Sequence, residues 1–334
     1  MNQTDQKKSP LKLRNIITTA LLLVMIGLLV WYLYQNREAV GQLLSLSPGK
    51  VAGMLLLAAG ACWINALYHK MILDTYHLPM DLIDWAGVVF VSNALAYVLP
   101  LRADLVFSAA YYKRVKGFEI VKSVSVAAGN IVFGVIFSLI QMLVGLLSTG
   151  LARGVWPGVL WLAFGGLTAL VAAFIVLCLR FGDHLPKALL RVPKLQTAVS
   201  GFNDLMRNRR LLWRLLLCLT ATNLLHLFLF MMCFQAMGMT VSADQAMFYS
   251  AVSRLCSMIA IVPGNIGIKE AIMGASSSLL GDVFVNGVVV SLLQSVAIMV
   301  IYLIGGGICA FPVVSRMKNA QTGPKENPKE VSAP

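Results

Sequence analysis

Ile261-Val262-Pro263-Gly264-Asn265-Ile266-Gly267-Ile268-Lys269-Glu270 interrupts an apolar run with a proline, two glycines, a lysine and a glutamate. A charged side chain at the centre of a bilayer costs about 2.5–3.5 kcal/mol on insertion scales. A Pro-Gly break also frees backbone groups that lipid cannot satisfy. Such a segment persists where protein encloses it or where it lines a wet cavity. The expectation is a membrane protein that handles a polar ligand within the bilayer.

Composition agrees. Of 334 residues, 58% are hydrophobic and 12% are charged, against about 25% charged in an ordinary soluble domain. The net charge of +13 does not point to nucleic acid, because the basic residues flank apolar stretches as topology signals do. The six cysteines lie scattered in apolar segments, the four histidines have no metal spacing, and no P-loop or dinucleotide fingerprint is present. No cofactor and no metal site are expected.

Working outward, six segments are long enough to cross a bilayer: 16–34, 51–68, 122–148, 158–179, 214–235 and 284–311. The first follows a basic N-terminus, residues 1–15, and reads as an uncleaved span. Two further apolar regions are broken, 85–112 at Pro100-Leu101-Arg102-Ala103-Asp104 and 246–280 at Pro263-Gly264-Asn265. Their arms fall short of the roughly 20 residues a span needs, so both read as re-entrant helical hairpins. Of the 27 lysines and arginines, 21 fall in segments that are cytoplasmic if the N-terminus is inside, and three (Arg37, Lys50, Arg153) fall outside. Both termini are therefore placed in the cytoplasm.

Pro100 and Pro263 are 163 residues apart, and a closely similar offset relates the spans flanking each hairpin. Span, hairpin and span thus occur twice with opposite orientation, the layout of an inverted-topology repeat. The expected fold is an all-α polytopic membrane protein of six full spans and two hairpins. Residues 16–148 form one half and 149–314 the other, with a basic cytoplasmic loop at 180–213 and a disordered tail at 315–334. Trp85, Tyr111, Tyr112, Trp156 and Trp213 read as interfacial anchors.

Five ionisable residues lie in the hairpins: Arg102, Asp104, Arg254, Lys269 and Glu270. Their net charge is positive, which suits an anionic headgroup. Gly264, Asn265 and Gly267 allow an unwound backbone whose N–H groups hold an anion at the start of the returning helix. Asp104 and Glu270 balance charge or carry a coupling proton, and His226, in mid-span, is a second candidate proton relay. Asn65, Asn93, Asn130, Gln141, Asn223 and Gln294 read as interhelical hydrogen-bonding groups. The competing reading is that the five charges pair with one another and bind nothing.

Pro263-Gly264-Asn265-Ile266-Gly267-Ile268-Lys269-Glu270-Ala271 resembles the P-G-G-L-G-[VI]-[RK]-E-A signature of the lysylphosphatidylglycerol synthase transmembrane-region family, also called flippase-like. Leu99-Pro100-Leu101-Arg102-Ala103-Asp104 resembles that family's P-x-R-x-G-E motif; its Gly-Glu is missing here, with Asp104 standing in for the Glu, and in the later signature Asn265 replaces a glycine. The resemblance implies the translocating membrane part without the aminoacyltransferase domain of bifunctional relatives. The expectation is a flippase, not an enzyme, that moves an anionic phospholipid or lipid-linked precursor across the bacterial inner membrane. The alternatives are a membrane-embedded lipid-modifying transferase and a non-transporting scaffold for lipid-synthesis enzymes.

Overall fold

A computed structural model describes residues 46–74, 76, 78–99, 102–118, 120–181, 208–258, 263–265 and 267–322, with backbone alone at 120–130, 177–179, 181, 263 and 321–322. The chain divides into two units, Met1–Ser47 and Pro48–Pro334, and all that follows concerns the second. The span expected at 16–34 and residues 182–207 of the basic loop lie outside the described residues.

The described residues form helices and no strands. Helix α1 is Pro48–Asp74. A π-helical turn, Ile83–Gly87, runs into α2, Val88–Ala96, and α3 is Ala103–Lys116. Helices α4, Ile120–Arg153, and α5, Gly158–Phe181, follow. Helix α6 is Arg209–Ala236, α7 is Ala243–Met258 and α8 is Ile268–Leu279, preceded by a short 3-10 turn at Pro263–Asn265. Helix α9 is Phe284–Thr322. Five of these helices (α1, α4, α5, α6 and α9) are long and apolar enough to cross a membrane.

The 163-residue offset survives in three dimensions. Adding it to α1, to the π-turn with α2, to α3 and to α4 gives 211–237, 246–259, 266–279 and 283–316, close to α6, α7, α8 and α9. The same offset carries Arg102 onto Asn265. These are the non-glycine residues with positive φ among the described residues, at 59° and 55°. Left-handed backbone is uncommon outside glycine, so each break turns the chain by the same local device.

Contacts cross between the halves. Helix α2 packs on α9, α7 packs on α4, and α1 packs along α6. Glycine allows the close approach. A Cβ at Gly306 would lie 2.7 Å from Ala94 Cβ and 3.0 Å from the Phe90 carbonyl, and one at Gly145 would lie 2.8 Å from Phe248 Cβ. Both first arms are consequently wrapped in protein. Val88, Val89, Val91 and Ser92 of α2 are buried, as are Phe248, Tyr249, Ala251 and Val252 of α7. That burial satisfies the condition under which a broken helix is tolerated in a bilayer.

Two expectations need correction. The tail does not begin at 315, because α9 continues through Pro312 to Thr322. Its last turns are tied down by Arg316, whose guanidinium donates at 2.7 Å to each Asp81 carboxylate oxygen and at 2.8 Å to Asp84. Trp85, Tyr111 and Tyr112 are not interfacial anchors either. They are buried in protein, and Tyr111 donates its hydroxyl to Asp84 at 2.7 Å. Trp156 and Trp213 are exposed on the helix bundle.

Asp84, only 1% exposed, also meets Lys116 Nζ at 2.6 Å. Burial alone would raise its carboxyl, but the hydrogen bonds from Lys116, Tyr111 and Arg316 hold it down to about 2. A free aspartate titrates near about 3.9, so the folded value is depressed. The stabilisation is fully present above about pH 4 and is lost as pH falls through about 2. Asp84→Asn is expected to lose stability at neutral pH by the low end of roughly 3–5 kcal/mol, because Arg316 and Lys116 keep some solvent contact. Thermal unfolding in detergent should show the loss at pH 7 and a smaller gap between the two proteins near pH 2.

Candidate functional site

The two breaks, α1, α6 and α9 surround a cavity of about 450 Å³. Of the residues singled out in the sequence, Arg102, Asp104, His226, Arg254, Gly264, Asn265 and Lys269 line it. Gly267 and Glu270 do not.

Arg102 caps α3 in left-handed conformation, φ 59° and ψ 45°. Its guanidinium donates to Asp104 at 3.1 Å and to the Met258 carbonyl, across the cavity on α7, at 3.4 Å. The second oxygen of Asp104 and the Nε of Arg102 have no hydrogen-bond partner among the described residues. The Asp104–Arg102 pair joins two residues of the same break; it does not tie one break to the other.

Arg254 donates to the Asn223 side-chain oxygen of α6 at 3.2 Å. Lys269, buried in the first turn of α8, donates to Gln294 Oε1 at 2.7 Å. Because that oxygen accepts, the Gln294 amide nitrogen is the donor toward His226 Nδ1 at 3.3 Å. His226 is therefore held with Nδ1 unprotonated. Lys269, Gln294 and His226 form one chain of hydrogen bonds. Neither Arg254 nor Lys269 has a carboxylate partner among the described residues. Taken with Arg102 and Asp104, the wall carries an excess of positive charge, and an unpaired buried cation is costly unless something anionic meets it.

Glu270, next to Lys269 in sequence, points elsewhere. One carboxylate oxygen accepts the Gly267 N–H at 2.6 Å, and the other accepts from Ser295 Oγ of α9 at 3.0 Å. It closes the start of α8 and pins it to α9. The Gly267 N–H expected to meet a ligand is therefore already engaged, and Gly267 itself, at φ 91°, serves to turn the chain. The Asn265 amide donates to the Cys256 carbonyl at 2.5 Å, while its side-chain oxygen is buried without a partner among the described residues.

The rest of the wall is uncharged and mixes apolar side chains such as Val89, Leu105 and Ile298 with polar ones. Among the polar ones, Asn65 donates to the Tyr302 hydroxyl at 3.1 Å, and His69, Asn93, Tyr97 and Ser253 also line the cavity. The sequence reading passed over His69, Tyr97, Ser253 and Tyr302. A phenol in the middle of an apolar span, such as Tyr302, was the available signal, since a buried hydroxyl needs a partner. Metal-binding groups of three or more His, Cys, Asp or Glu are absent among the described residues.

Spanning helices that enclose two helix breaks and a cationic cavity define a multi-pass membrane protein with an internal polar site. The family profile of the lysylphosphatidylglycerol synthase TM region matches residues 16–306, and the chain belongs to that family. This places it among membrane proteins related to lipid metabolism. No curated protein and no solved structure gives a significant match.

Proposed function

We propose that the protein is a translocase that carries an anionic lipid headgroup across the bacterial inner membrane. The observation that carries this reading is the cavity in which Arg254 and Lys269 face inward with neutral partners only among the described residues. A set of charges serving only to join the two breaks would pair each cation with a carboxylate across the gap. Here an acidic headgroup supplies the missing negative charge, while its acyl or prenyl chains stay among the helices. Arg102, Arg254 and Lys269 attract the phosphate, and Asn65, Asn93 and Tyr302 offer neutral hydrogen bonds beside it. His226, reached through Gln294, and Asp104 are the candidates for a coupling proton.

The architecture of this reading has six spans, two re-entrant hairpins and both termini in the cytoplasm. It draws support from the 21:3 distribution of basic residues, from the short buried arms α2 and α7, and from the repeat at 163 residues. Movement of the two halves about the cavity would then expose it to each side in turn.

Purified protein in liposomes containing a fluorescent phosphatidylglycerol tests the proposal directly. Bleaching of label by a membrane-impermeant reductant should pass the half that is accessible in protein-free vesicles. It should proceed more slowly when the label sits on zwitterionic phosphatidylcholine. No acceleration over protein-free vesicles would sink the reading. Turnover of the lipid into a new chemical species, seen by mass spectrometry, would favour the transferase instead.

A further inference from the structure

The cluster around Arg316 is not part of the cavity, yet the repeat gives it a counterpart. Subtracting 163 from Arg316 gives Arg153, the last residue of α4, and adding 163 to Asp81 gives Asp244, in the first turn of α7. Each half therefore carries an arginine at or near the end of its long helix, and each broken pair starts beside an aspartate. Because α9 packs on α2 and α4 packs on α7, each arginine belongs beside the aspartate of the other half.

The two sets lie at opposite ends of α9. Asp282, just before α9 starts, accepts from Gln245 and Tyr249 of α7 at 3.2 and 3.4 Å. Arg316, near the other end of α9, holds Asp81 and Asp84. More than thirty helical residues separate them, about 50 Å. The cavity residues Gln294, Ile298 and Tyr302 lie between.

The two ends differ in state. At one, Arg316 grips Asp81 through both carboxylate oxygens. At the other, Arg153 donates to Ser242 at 2.9 Å and makes no ion pair with Asp244, whose carboxylate accepts only from Thr149, at 3.4 Å, among the described residues. One end is tied and its counterpart is untied.

We infer that Arg316–Asp81 and Arg153–Asp244 are reciprocal latches at the two ends of the cavity, one closing as the other opens. This rests on the translocase reading above, and supplies the contacts that would hold each of its two end states. The ends are not equal. The positions matching Asp84, Tyr111 and Lys116 are Met247, Gly274 and Leu279, so the Arg153 latch lacks the buried carboxylate and two of its donors. The ligand-free protein therefore rests with the Arg316 end shut, and the Arg153 end shuts only transiently or with lipid bound.

Two double-cysteine proteins test this: Asp81→Cys with Arg316→Cys, and Arg153→Cys with Asp244→Cys. Each is treated in liposomes with a short, reductant-cleavable bis-methanethiosulfonate. The first pair should crosslink rapidly without ligand. The second should crosslink at least several-fold more slowly, and faster once phosphatidylglycerol is added. With all four cysteines in one chain, closing one link should prevent the other. Either link should stop lipid transfer, and reductant should restore it. A doubly crosslinked species, or transfer that continues in fully crosslinked protein, overturns the latches while leaving the translocase reading standing. Alternating crosslinks in a protein that transfers no lipid leave the latches and sink that reading.

Arg316→Gln provides a second readout with native cysteines in place. Hydrogen exchange should rise across residues 78–84 and fall across 241–248. Exchange that rises at the first segment without falling at the second overturns the coupling between the ends.

Discussion

Lys269→Met is expected to slow lipid transfer by about 30-fold or more while making the ligand-free protein more resistant to heat. Losing one side of a desolvated charged contact costs about 2–5 kcal/mol of binding, and 2 kcal/mol corresponds to about 30-fold. The stabilisation has a separate origin. Lys269 is buried with Gln294 as its partner and no carboxylate among the described residues. Replacing an uncompensated buried charge by an apolar side chain of similar length removes its desolvation penalty. Gln294 Oε1 keeps its contact with Ser253 at 3.4 Å. If Lys269 only held the helices together, the same change would lower stability. Thermal unfolding and the liposome assay, run on one preparation, separate the two roles. Lower stability with normal transfer would remove Lys269 from the binding site.

Its neighbour should behave in the opposite sense. Glu270→Ala is expected to destabilise the protein by about 1–3 kcal/mol, the cost of a donor left without its acceptor, because the Gly267 N–H loses its partner and α8 loses its tie to α9, while the Ser295 hydroxyl keeps the Ser291 carbonyl at 2.9 Å. Glu270→Gln retains one acceptor oxygen and should recover part of the loss. Transfer measured below the unfolding temperature should fall far less than for Lys269→Met. A Glu270→Gln protein of normal stability with no transfer would instead return Glu270 to the coupling role suggested by its sequence position.

The contrast between these neighbours shows where sequence reading stops. Both breaks were legible because proline, glycine and charge are expensive in lipid, so their presence at a given depth carries information. The repeat was legible because its offset appears in element boundaries, and the structure extends it to the backbone of Arg102 and Asn265. The division of labour between Lys269 and Glu270 was not legible. Successive helical residues point about 100° apart, and what each meets, Gln294 or Ser295, lies 25 positions away on another helix.

The same holds for the residues that were misread. Trp85, Tyr111 and Tyr112 sit near helix ends as interfacial aromatics do, but Trp85 packs on Trp63 of α1, and Tyr111 and Tyr112 lie in a core cluster with Val88 of α2 and Val313 of α9. Asp81 and Asp84 drew no notice, since their partner Arg316 is more than 230 residues away in what read as a tail.

Sequence alone determined that this chain is a membrane protein of the helical class, where its helices break, and that its halves repeat. Each of these follows from one-dimensional quantities: the length of an apolar run, the conformational limits of proline and glycine, and the placement of charge. Only the tertiary structure decided which charges share a cavity, which are engaged in capping a helix, and which tie the ends together. Hydrogen bonds and ion pairs act over about 3 Å, and packing, not sequence spacing, sets which side chains come within that reach.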